Sequence, residues 1–209
     1  MRRTICAAAV IAATLATLAG VSARRAAFTD AAKGDFDAAL RLAEKRLDDD
    51  SAAVDHAFLL VLAGRPGEAM ETLDGRLDDE AALRIYGYAA LRARRFGEAM
   101  TAARRLLAGR PEDVTGRAVV AEAMWRLGAV AGAREILRTL PAEVRDVVLL
   151  RCALEDDRTE EATAALARLK EVAPGADWRA LDAHLRGRTD LFDDALREEP
   201  ALGALYRMR

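Results

Sequence analysis

The sequence predicts an all-α fold of about five to six stacked helical hairpins. Three observations carry that prediction. A short phrase recurs along the chain, closing on an alanine each time: "GDFDAA" at Ala39, "GRPGEA" at Ala69, "RRFGEA" at Ala99, "GAVAGA" at Ala133, "DRTEEA" at Ala162 and a weaker "DLFDDA" at Ala195. The spacings are 30, 30, 34, 29 and 33 residues, the period of stacked supersecondary units. No stretch shows the period-two alternation of a strand, and alanine, the strongest helix former, dominates an apolar share of 52%.

The elements follow from the phrase. Each copy is a turn followed by a helix, and each turn is preceded by another helical stretch. The first helices of the pairs fall at about 51–63, 79–93, 114–127, 144–155 and 178–186. The second helices fall at about 36–47, 67–76, 97–109, 131–140, 159–172 and 191–198. Gly34, Gly64 with Pro66, Gly128, and Asp156 with Asp157 mark the turns within pairs. Pro111, Pro141 and Pro174 lie between pairs, where proline stops one helix or opens the next. Within "RRFGEAM", Phe96 is expected to close apolar surface at the bend. Gly97 is expected to relieve local crowding, and Ala99 to let two helices approach. The segment at 22–33 and the tail from Asp194 to Arg209 are expected to cap the two ends.

The N-terminus is set apart. "MRRTICAAAVIAATLATLAGVSARR" has two arginines, an apolar run from Ile5 to about Val21, and the small residues Val21, Ser22 and Ala23. This is the pattern of a secretory signal peptide in residues 1–23, with 24–209 as the repeat domain. An uncleaved anchor and a buried first helix are the alternatives. Loss of 1–23 leaves 30 basic against 34 acidic side chains, a net charge of −4, which gives no general pull toward nucleic acid. It also leaves Cys152, within the apolar run "VVLLRCAL", as a single cysteine. An intrachain disulfide is thereby excluded, and a buried structural thiol expected.

Chemistry is sparse. The two histidines, His56 and His184, belong to no metal signature, and neither a Cys-x-x-Cys pair nor a phosphate-binding glycine loop occurs. Asp48 to Asp50 and Asp78 to Glu80 precede predicted helices. Carboxylates there meet the positive helix end rather than form an alternating calcium loop. No catalytic, cofactor-binding or metal residue is nominated, and an enzyme is not expected.

The third unit carries a family resemblance. Leu83, Tyr86, Gly87 and Ala90 in its first helix, Ala99 in its second and Pro111 at its end resemble the tetratricopeptide repeat, a unit of about 34 residues. Ala57, Ala121 and Ala183 take the small first-helix position elsewhere, while the fifth unit has Leu150 there. Ala162 and Pro174 fit that unit's later positions, and Trp178 lies near the bulky position of the last. The resemblance covers about residues 34–198. Short spacings and a degenerate last unit depart from it, so another helical-hairpin solenoid or a closed bundle stays open. It implies a right-handed superhelix with a concave groove, lined by first helices, that holds a peptide or protein segment. Carried over, the groove column is Phe58, Tyr88, Glu122, Arg151 and His184. Beside it stand Arg92, Trp125, Arg126 and Glu155, with Arg84 adjacent. At that level the chain resembles exported bacterial repeat proteins of the periplasm. A scaffold anchored in the inner membrane and facing the periplasm is the alternative.

Overall fold

The computed structural model describes residues 35–44 and 50–172, with isolated positions at 27, 29–31 and 185. The expected leader at 1–23, the end caps, His184, and the helices at 178–186 and 191–198 lie outside that description, apart from those isolated positions. All regular structure among the described residues is helical: α1 (Phe36–Glu44), α2 (Asp50–Leu62), α3 (Pro66–Leu73), α4 (Glu80–Arg92), α5 (Phe96–Gly109), α6 (Val114–Arg126), α7 (Val130–Arg138), α8 (Ala142–Glu155) and α9 (Thr159–Val172). The pairs α2/α3, α4/α5, α6/α7 and α8/α9 are the hairpins, and α1 precedes them as the second helix of an earlier unit. The chain is therefore an all-α, tetratricopeptide-like solenoid.

The repeated phrase has a local physical cause. Its first residue is Gly64, Arg94, Gly128 or Asp157, and each has positive φ, at 78°, 60°, 86° and 56°. A residue in this left-handed region ends a helix and turns the chain back. The hydrogen bonds repeat with it. Arg65 N–H donates to Leu60 O, Arg95 to Ala90 O, Ala129 to Met124 O and Arg158 to Ala153 O, each reaching back five residues. Glycine takes this conformation freely, whereas Arg94 and Asp157 adopt it at a steric cost.

The alanine that closes the phrase is the packing point. Ala39, Ala69, Ala99, Ala133 and Ala162 are wholly buried. At Gly87, opposite Ala99, a Cβ would stand 3.4 Å from Val119 Cγ1 and 3.7 Å from Ala99 O, so anything larger than alanine would push α4 from α5 and α6. Phe96 does pack against the main apolar cluster. Gly97 differs from expectation: a Cβ there would meet nothing within 4 Å, so crowding does not require glycine.

Other ends follow from capping. Asp79 accepts a hydrogen bond from Ala82 N–H and Asp113 from Gly116 N–H, each at 2.8 Å, which satisfies free donors at the starts of α4 and α6. Helix α3 ends at Leu73, short of the expected 76, because Asp74 is extended and Gly75 has φ of 80°. Helix α7 ends at Arg138 and α8 begins at Ala142, because Pro141 disfavours helical backbone before it and suits the entry to a new helix.

Successive first helices touch: α2 packs on α4, α4 on α6, and α6 on α8. No comparable contact joins α3 to α5, α5 to α7 or α7 to α9. Closer spacing on one side of a stack makes that side the inner, concave one. The first helices therefore line the inside of the curve.

Candidate functional site

The inner face is richest at α4, α6 and α8, where Tyr88, Arg92, Glu122, Arg126, Arg151 and Glu155 meet. Two glutamates organise three arginines. Arg151 donates to Glu122, and Arg126 Nη2 lies 3.9 Å from the same carboxylate. Arg126 also donates to Glu155, whose other oxygen lies 3.5 Å from Arg92. Glu122 is 2% exposed at its side chain and Arg126 8%, so this is an interior ion network rather than surface decoration. The guanidiniums of Arg92 and Arg151 stand 6.0 and 5.6 Å from the centre of the buried Tyr88 ring, within range of its π face. Of the expected column, Tyr88, Glu122 and Arg151 lie in this cluster, while Phe58 is on α2 and His184 is outside the described residues.

The electrostatics follow from the pairing. Burial alone would weaken the charge on Arg126 and Arg151. Glu155 and Glu122 more than offset it and hold both guanidiniums above the ordinary arginine range. Burial likewise opposes ionisation of Glu155, but the hydrogen bond from Arg126 keeps its carboxyl below the ordinary glutamate range. Cys152 lies beneath the network, fully buried. Burial and then the Glu122 charge push its thiol up to about 12, so it stays protonated and unreactive near neutral pH.

The remaining expected residues sit differently. Arg84 holds a single oxygen of Asp113, Oδ2, through Nε at 2.8 Å and Nη2 at 2.7 Å. Asp113 thereby caps α6 with one oxygen and holds α4 with the other. Phe58 is buried within the main apolar cluster. Trp125 is buried on another side of α6. Its indole N–H donates to Asp156 at 2.8 Å, and its ring lies between Arg134 and Arg158, 4.8 and 5.3 Å from their guanidinium carbons. Adjacent positions on a helix diverge by about 100°, so Arg126 can face the network while Trp125 anchors the hairpin. His56 packs between α1 and α2 with Glu44 3.7 Å away, and burial lowers its pKa from the ordinary histidine value.

Sequence reasoning did not assign partners to these groups, yet a signal existed. Arg84 and Asp113, Arg126 and Glu155, and Glu122 and Arg151 are each 29 residues apart, about one repeat. Opposite charges one period apart are candidates for contact between adjacent hairpins. That test finds Asp113 from Arg84, but not Asp156, whose partner is the Trp125 indole, nor Arg134 and Arg158, which lie outside the first helices.

The arrangement offers charged donors and an aromatic ring. Among the described residues, no three His, Cys, Asp or Glu side chains stand together as a metal would need. No described helix is long and apolar enough to cross a membrane.

Fold and face together define a helical-repeat scaffold with a polar, arginine-rich inner wall. The family model for the tetratricopeptide repeat matches residues 90–148, from the end of α4 into α8. No curated protein matches the chain.

Proposed function

We propose that the protein is a non-enzymatic adaptor or assembly scaffold that holds a peptide or protein segment along its inner face. The observation that carries this reading is the packing of α2, α4, α6 and α8 into one continuous wall, with Arg92 and Arg151 presented over Tyr88. Repeat scaffolds use such extended inner surfaces for partners. The tetratricopeptide match at 90–148 takes in α6 with the end of α4 and the start of α8, and supports the same reading.

The compartment belongs to the proposal as well. The arginine-led apolar run and the Val21–Ser22–Ala23 boundary favour export, with the scaffold working in the periplasm or cell envelope. The same run supports the alternative, a scaffold tethered to the inner membrane by an uncleaved N-terminal helix. Mass measurement of the exported protein separates these two forms.

Arg92→Glu tests the binding face. Arg126 is less suitable, because its buried guanidinium holds two glutamates. Crosslinked recovery of partner from native envelopes is expected to fall at least about fivefold for Arg92→Glu, on the order of a buried charge-assisted contact. Arg104→Glu, on the exposed side of α5, should leave recovery unchanged. Equal recovery from the Arg92 variant, with its circular dichroism unaltered, would remove the inner face as the binding surface.

A further inference from the structure

The ion network is unbalanced. Three guanidiniums, Arg92, Arg126 and Arg151, face two carboxylates, Glu122 and Glu155, which leaves one positive charge in excess. Asp156 does not offset it, being engaged by the Trp125 indole and by Arg158 at 3.6 Å. Arg94, in the adjoining turn, adds to the positive field felt by Glu155.

The excess is localised. Arg126 and Arg151 each donate a hydrogen bond to a glutamate. Arg92 reaches Glu155 only at 3.5 Å and makes no hydrogen bond among the described residues, whereas a buried Nε–H without an acceptor is common to all three arginines. A guanidinium carries five N–H donors in one plane, and leaving them unmade in a site this dry is costly. The Arg92 side chain is 12% exposed and that of Arg151 is 19% exposed, so the two that share the Tyr88 ring are also the two with an open edge. A planar carboxylate fits such a fork in a bidentate manner and cancels the surplus charge.

We propose that Arg92, seated beside Arg151 over Tyr88, receives an acidic side chain of the bound segment; this deepens the scaffold reading above and rests on it. The segment is an extended or helical stretch of a protein partner carrying Asp or Glu at one fixed position. Glu155 keeps its hydrogen bond from Arg126 when Arg92 is replaced, so removing Arg92 strips the receptor without orphaning a buried carboxylate.

Random peptides displayed on phage, selected on the full chain, provide the test. The expected consensus contains one invariant Asp or Glu. Changing that residue to its amide, or Arg92 to Gln in the protein, should each weaken the peptide Kd about tenfold. The two changes together should weaken it no further. Arg92→Lys should recover only part of the loss, since it restores charge without the fork. A consensus that lacks an acid and binds Arg92→Gln as tightly as the parent would overturn this inference and leave the inner-face reading standing. Selected peptides whose binding is lost with Arg104→Glu rather than Arg92→Gln would overturn both, as would the absence of any selected peptide. Matching thermal melts for parent and variants keep a folding defect from being counted as a binding result.

Discussion

The two ends of the described solenoid are joined by different physics. Around α2 the interface is apolar: Val54, Ala57, Phe58, Leu59, Leu60 and Val61 are buried in one cluster that runs on to Val119, Val120 and Ala123. Beyond α6 that cluster gives way to two smaller ones, and ionised groups enter the packing. Glu122, with Arg126 and Arg151, and Asp146, with Arg168 at 2.9 Å and Arg145 at 3.2 Å, are buried there, and Glu122 and Arg151 take the column position that Phe58 and Tyr88 fill nearer the front. Apolar packing tolerates small shifts of register. A buried ion pair does not, because a carboxylate that loses its partner there has no water to replace it. The back of the stack is thus specified by charge matching between neighbouring hairpins, and the same groups furnish the open guanidiniums of the inner face.

Three substitutions sharpen that contrast. The largest effect is expected at Glu122→Gln, which keeps the shape and removes the charge that balances Arg126 and Arg151. Breaking a buried pair in this way costs about 3–5 kcal/mol. Urea denaturation of parent and variant measures it, and a loss below about 1 kcal/mol would show that the network carries little of the specification. Ala99→Leu comes next. Ala99 is wholly buried where α5 meets α4 at Gly87, so the three extra carbons of leucine are expected to cost about 1–3 kcal/mol through overpacking. The smallest effect is at the hairpin turn. Arg94→Gly removes the left-handed strain that Gly64 and Gly128 avoid, offset in part by greater freedom of the unfolded chain. A gain of up to about 1 kcal/mol is expected in the same denaturation experiment.

Much of this architecture was legible in the sequence. The boundaries of α2, α4, α5, α6 and α9 fall within a residue or two of the expected ranges, because each helix is bracketed by turn residues, capping residues or proline. The repeated phrase marked both the left-handed turn and the buried alanine. Gly97 misled because a glycine beside a tight contact need not itself be crowded. Of the inner face, Tyr88, Arg92, Glu122, Arg126 and Arg151 were legible as a group, since they fall on one phase of the first helices. The sequence sets Trp125 beside Arg126 in one column, with packing between helices as its competing role, and its contacts with Arg134, Asp156 and Arg158 give it that packing role. The pairing of charges also depends on how successive hairpins are rotated, which no single helix encodes.

Hydrogen exchange measured helix by helix, in the parent and in Glu122→Gln, tests the central contrast most directly. Repeat stability is close to a sum of local and nearest-neighbour contributions, so damage to one interface should stay near it. The account predicts lost protection in α6, α7, α8 and α9, with α2 and α3 exchanging as in the parent. Equal loss of protection along the whole stack, or loss confined to α2 and α3, would contradict it.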